Sequence, residues 1–156
     1  TVEVLTPDFK GYEPALKIVF DAKPDIFSHN VECVERISKA VRAQANWQRS
    51  LDVLKKSIKY GLRTKTGIMV GLGEEAKEVK ETMRQVVDLG VQIFTIGQYL
   101  QPTKNHLKVQ EYVSKEQFEA YKEYGYSIGF KVVESGPLVR SSYHADEQAR
   151  MVFNNG

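Results

Sequence analysis

Two serines follow an arginine near the end of the chain, in Arg140-Ser141-Ser142-Tyr143. A fixed cation beside two hydroxyls suits phosphate binding, and a hydroxyl oxygen can also ligate a metal ion. The same residues would serve equally as an N-cap before a helix over Ala145–Val152. Residue types alone leave these readings open. Earlier in the chain, Gly71-Leu72-Gly73 precedes a helical pattern, where backbone N–H groups could hold an anion. The third glycine of a dinucleotide fingerprint is absent, because Ala76 stands there, and no Gly-Lys-Ser/Thr follows, which excludes a Walker loop. A tight strand–helix turn reads this motif as well.

His29, His106 and His144 fall in three separate loops without a second His or Cys nearby, so they read as satisfied or exposed histidines rather than metal ligands. Cys33 lies in Val31-Glu32-Cys33-Val34 with no evident base, which points to a buried, inert thiol. A single cysteine also excludes an internal disulfide and fits a reducing compartment such as the cytoplasm of a bacterial cell. Asp8, Glu32 and Glu74 could form an acid/base set or could be capping and solvated charges; spacing does not decide between these.

These residues sit between recognisable elements. Val2–Leu5, Asp25–Phe27, Lys65–Val70, Val91–Ile96 and Phe130–Val133 read as strands, apolar enough on both faces for buried parallel strands. Pro14 suits a first helical turn, followed by Leu16, Val19 and Phe20 at helical spacing. A short helix is expected around Val34–Ala40, then one carrying Leu51, Leu54 and Ile58 that ends at Gly61. Ala76, Val79, Met83 and Val86 mark another, with Glu74 and Glu75 favouring its N-terminal dipole. Ser114 and Gln117 resemble a capping box for a helix that stops at Gly129. Alternating strands and helices predict a parallel sheet with right-handed crossovers.

In such a sheet, chemistry gathers beyond the C-terminal strand ends. All five ends carry polar or turn-forming residues: Thr6–Asp8, Ser28–Glu32, Gly71–Glu74, Gly97–Pro102, and Glu134–Pro137 running on to His144. That pattern predicts one shared ligand site. At 156 residues and 42% hydrophobic, the chain is long and apolar enough for one domain with a core. A net charge of +2, without interleaved basic and aromatic residues, predicts no nucleic-acid partner. No apolar run approaches the roughly 18 residues of a spanning helix, so no membrane role is expected. The first residues carry no signal-peptide pattern, and a start at Thr1 is what a processed or shortened chain would show.

Taken in order, Pro7–Gly11, His29–Glu32, Gly67–Glu74, Gly97–Pro102, His106-Leu107 and Ser135–Tyr143 resemble the lipoyl synthase family of radical S-adenosylmethionine enzymes. The resemblance runs through nearly the whole chain. It implies insertion of two sulfur atoms into an octanoyl chain carried on a lysine of a lipoyl carrier domain or H protein, with an electron donor such as ferredoxin or flavodoxin. It implies two [4Fe-4S] clusters and S-adenosylmethionine in the full-length enzyme. One cluster, held by a Cys-x3-Cys-x2-Cys motif, cleaves S-adenosylmethionine; the other, held by three cysteines and a serine, is the sulfur source. Neither cysteine motif is present here, and Cys33 matches neither. The resemblance therefore covers about the C-terminal half of the family's length, and the chain alone is expected to hold no cluster and to be inactive.

Carried over residue by residue, Ser142 is the expected cluster ligand and Arg140 its charged neighbour. Asn30 and Glu32 match a position that holds the ribose or amino group of S-adenosylmethionine. Arg42 and Lys65 are candidate partners of its carboxylate, and Gln98, Tyr99 and Leu100 are expected to edge the adenine. Tyr143 and His144 would line the octanoyl tunnel or pack. The expected fold is an α/β partial TIM-type half-barrel of about five parallel strands, one unit over residues 1–156 ending in a tail segment over 135–156. An opened barrel exposes a strand edge and apolar interior, so the chain should self-associate, cover the edge with its tail, or be sparingly soluble. Two other readings stand beside this one: a flavodoxin-like module holding phosphate or nucleotide at Gly71–Glu74, and a split subunit whose partner supplies the cysteines.

Overall fold

The computed structural model describes residues 1–153; the last three positions of the predicted tail segment lie outside the described residues. Five strands form one parallel sheet: β1 (Glu3–Leu5), β2 (Ile26–Ser28), β3 (Thr64–Val70), β4 (Ile93–Gln98) and β5 (Val132–Gly136). Their order in space is their order in the chain. Between them run α1 (Glu13–Asp21), α2 (Glu35–Val41), α3 (Trp47–Lys59), α4 (Ala76–Asp88) and α5 (Lys115–Ile128), and α6 (Ala145–Phe153) follows β5. The parallel sheet with helical crossovers is what the alternating pattern predicts, and its sequential order is that of the partial barrel the family resemblance implies. It also differs from the flavodoxin order, in which the second strand lies outside the first.

Local chemistry explains the helix starts. Asn46 accepts from the Arg49 N–H at the head of α3, and Ser114 accepts from the Gln117 N–H at the head of α5. Glu75 and Glu78 form a reciprocal capping box on α4. β4 and β5 start two residues later than their apolar runs suggest and extend further. Val91 is taken by a bond to the Val86 carbonyl, and Phe130 by one to Gly125. Gln98, expected in a loop, is therefore the last residue of β4 and is buried.

The two faces of the sheet differ. The outer face packs Ile68, Val70, Phe94, Ile96 and Val133 against Val79, Met83, Val86, Phe118 and Tyr121 of the crossover helices. The inner face carries a small apolar group at the strands' N-terminal ends, Ile26, Ile93 and Val132, and α6 covers it with Ala149 and Val152. The tail thus covers part of the opened interior. The edge strands β1 and β5 each pair with one neighbour.

Candidate functional site

Beyond β2 the chain does not leave the sheet at once. Glu32 adopts a left-handed φ of 73°, donates its N–H to the Gly67 carbonyl at 3.2 Å and accepts from the Met69 N–H at 2.8 Å. Bracing from β3 on both sides holds a conformation that a non-glycine residue seldom adopts. Asn30 and Glu32 are thereby fixed at the rim of the barrel interior.

A cavity of about 300 Å³ opens there, between β2, β3, β4 and the turn after β5. Of the sequence candidates, Asn30, Glu32, Gln98, Leu100 and Arg140 line it, together with Gly67, Thr95, Val139 and Ser141. Two glycines let its walls close in at the floor and the roof. A Cβ at Gly67 would stand 2.2 Å from Thr95 Oγ1 and 3.3 Å from Asn30 Oδ1, and one at Gly97 would stand 2.4 Å from the Val139 carbonyl oxygen. Asn30 Oδ1 is buried without a hydrogen-bond partner among the described residues. An orphaned buried acceptor costs about 1–3 kcal/mol, so it points to a donor supplied by a ligand. Burial raises the Glu32 carboxyl above its ordinary range, opposed by the Arg42 guanidinium at 4.0 Å. An orphaned amide carbonyl beside a partly buried carboxyl suits a ligand rich in hydroxyl or ammonium donors.

The other candidates are placed differently. Gln98 commits its amide to the long loop after β4, donating to the carbonyls of Tyr99 and Glu111 and accepting from the Val113 N–H. Tyr99 is buried, and its hydroxyl donates to the Leu107 carbonyl at 2.8 Å; it does not line the cavity. Arg42 lies at an adjoining recess shared with Asp8, His29 and Glu32. Lys65 is fully buried among other partners: it pairs with Glu3 at 3.1 Å and donates to the Ser141 carbonyl at 2.5 Å. Ser142 is exposed on the turn beside Arg140, and Tyr143 stacks on His144 with ring centroids 4.0 Å apart. Arg140 donates to the carbonyl of its neighbour Val139. Thr95 is not among the sequence candidates. Period-two alternation along β4 from Ile93 puts it on the inner face with Gly97, and that alternation is the signal for it.

The glycine loop is not an open anion site. The Glu74 carboxylate accepts from the backbone N–H of Gly71 at 2.6 Å and of Leu72 at 2.9 Å, filling the loop from within. With the sequential strand order, this weighs against the flavodoxin-like phosphate module. His29 is a structural histidine: its Nδ1–H donates to the Thr6 carbonyl, and Nε2 accepts from Ser50. Asp8 accepts from the Lys10 N–H and pairs with Arg49 at 2.7 Å. Among the described residues no three His, Cys, Asp or Glu side chains converge on a metal position. Burial, with Glu32 and Glu74 nearby, pushes the Cys33 thiol up to about 12. An iron–sulfur cluster needs several thiolates, and the residues of this chain do not fit one.

Comparison with known proteins agrees with this architecture. A lipoyl synthase of Rubrobacter xylanophilus is 56% identical over 149 residues, covering 94% of this chain and 46% of that protein. One of Caldanaerobacter subterraneus is 55% identical over 148 residues, covering 94% of this chain and 52% of that protein. The chain thus spans about half the length of the curated relatives it matches. Among solved structures, SuiB of Streptococcus suis superposes with a TM-score of 0.69 at 9% identity, over 85% of this chain and 32% of that one. A putative phosphonomutase from Burkholderia cenocepacia gives 0.55 at 14% identity, over 99% of this chain and 65% of that one. These two likenesses concern the fold alone. No helix among the described residues is long and apolar enough to cross a membrane. Residues 1–86 of the 156 match the model of the radical SAM superfamily, which takes in β1 to β3 and the cavity side chains Asn30 and Glu32, and the chain belongs to that superfamily.

Proposed function

We propose that this chain is the adenosylmethionine-binding and tail-bearing half of a lipoyl synthase, an enzyme that converts a protein-bound octanoyl chain to a lipoyl group. The observation that carries the reading is the cavity of about 300 Å³ at the strand ends, with the unpartnered Asn30 carbonyl and Glu32 at its rim. Identity above 50% to lipoyl synthases along nearly the whole chain supports the substrate class.

S-adenosylmethionine fits this donor set. Its ribose hydroxyls and α-ammonium are donors for the Asn30 carbonyl and the Glu32 carboxylate. Leu100, on the cavity wall, offers a flat group an apolar edge. When bound, the cofactor supplies the radical chemistry of the superfamily; the residues here bind it, orient it and shield it from water. The clusters of a complete enzyme would be held by cysteines that this chain does not contain. Ser142, exposed on the turn next to Arg140, is accessible to a group approaching from outside the chain. The octanoylated carrier domain or H protein is the proposed macromolecular substrate, with a ferredoxin or flavodoxin as electron donor, in a reducing cytoplasm.

Titration of the purified chain with adenosylmethionine, read by amide hydrogen exchange, tests the cavity assignment. Protection is expected at residues 30–32, 67–69 and 97–100 and not at the Gly71–Glu74 loop. Protection confined to that loop, or none at any concentration, contradicts it.

A further inference from the structure

We propose that Lys65 is a positioning residue that ties the turn over residues 139–142, and with it the roof of the cavity, to the barrel floor. The strand-end site is read above as an adenosylmethionine site, and the functional half of this inference rests on that reading. Lys65 is fully buried, which lysine seldom is without partners. It spends its ammonium on two elements far apart in sequence: both carboxylate oxygens of Glu3 on β1, at 3.1 and 3.2 Å, and the Ser141 carbonyl beyond β5. Glu134 on β5 is a further negative charge acting on it.

A buried ion pair is a poor way to gain stability, since well-packed apolar side chains serve at least as well. What the lysine supplies is direction. Its link to Ser141 sets the height of the turn, which lays the Val139 carbonyl so close over Gly97 that no Cβ fits between them. The turn also leads into α6, where Gln148 donates to the Tyr143 carbonyl. One side chain thus joins the first strand, the middle of the sheet and the tail.

Hydrogen exchange on the purified chain, comparing wild type with Lys65→Met, tests this. Methionine keeps much of the stem and removes the donors. Loss of a charged hydrogen bond should speed exchange over residues 138–150 about tenfold or more, while β4 keeps its protection. Unchanged exchange over 138–150 overturns the tie. Should the variant lose the sheet as well, the wild-type chain decides. Labelling of Lys65 by an amine-reactive ester across a urea series should begin where residues 138–150 open. Labelling that waits for β3 and β4 to unfold overturns the proposal. Adenosylmethionine affinity should fall about tenfold in Lys65→Met, equal to a loss of about 1.4 kcal/mol. Unaltered affinity with a loosened turn overturns the roof. A wild-type chain that binds no adenosylmethionine refutes the site assignment and leaves the tie standing.

Discussion

The Gly71 backbone N–H donates to the Glu74 carboxylate at 2.6 Å, so the loop after β3 carries its own anion. A glycine pair before a helix looks like a phosphate cradle in sequence; the carboxylate three residues on makes it a closed turn. Removing that carboxylate, in Glu74→Ala, should cost about 1–3 kcal/mol in urea unfolding, as expected for hydrogen bonds to a charged group. Phosphate should not protect the wild-type Gly71 amide from exchange. Protection by millimolar phosphate would restore the anion-site reading.

Gly67 and Thr95 meet across the cavity floor. Gly67→Ala would set a methyl 2.2 Å from Thr95 Oγ1, forcing a local shift. A destabilisation of about 1–3 kcal/mol is expected for such overpacking, with loss of adenosylmethionine binding. Thr95→Ser, which keeps the hydroxyl and removes a methyl, should bind as wild type does. Binding retained in Gly67→Ala would place the ligand elsewhere.

His29 gives the fold a pH dependence. Burial holds its pKa below the ordinary 6.5, against the Thr6 carbonyl and the Asp8 charge, which favour the protonated ring. The unfolded chain therefore takes up a proton where the folded chain does not. The contribution of the neutral ring is complete above about pH 6.5 and is lost as pH falls toward the folded pKa, by at most about 1.4 kcal/mol per unit. Urea midpoints measured between pH 7.5 and 5 should fall, and a His29→Gln variant should show a shallower slope. A slope unchanged by the substitution assigns the effect to other groups.

Cys33 is buried with its thiol pushed up to about 12, so little thiolate forms near neutrality. A disulfide reagent at pH 8 should label the native chain slowly and the urea-unfolded chain at once. Immediate native labelling would contradict the inert-thiol assignment.

Strand number and the helix alternation are legible in the apolar runs, because buried parallel strands leave a strong signal; the sequential strand order is legible only through the family resemblance, since the runs alone admit the flavodoxin order as well. The strand ends are less so. Val91 and Phe130 continue apolar runs but are tied back to the preceding helices, so β4 and β5 begin at Ile93 and Val132. At the site, Asn30 and Glu32 are legible from the family pattern. The partners of Lys65 are not, because Glu3 and Ser141 lie 62 and 76 residues away and no local spacing couples them. The placing of Gln98 and Tyr99 is hidden for a related reason. Their side chains serve the long loop after β4, whose path depends on those bonds.

Whether this chain carries half of a lipoyl synthase can be read from a chimera. This sequence would replace the matching stretch of the Rubrobacter relative, and the product would be assayed without oxygen on an octanoylated carrier domain by mass spectrometry. Each octanoyl chain should gain two sulfur atoms and lose two hydrogens, a change abolished by Asn30→Ala or Ser142→Ala. A chimera that folds and holds its clusters yet leaves the octanoyl chain unchanged would show that this chain is not half of a lipoyl synthase.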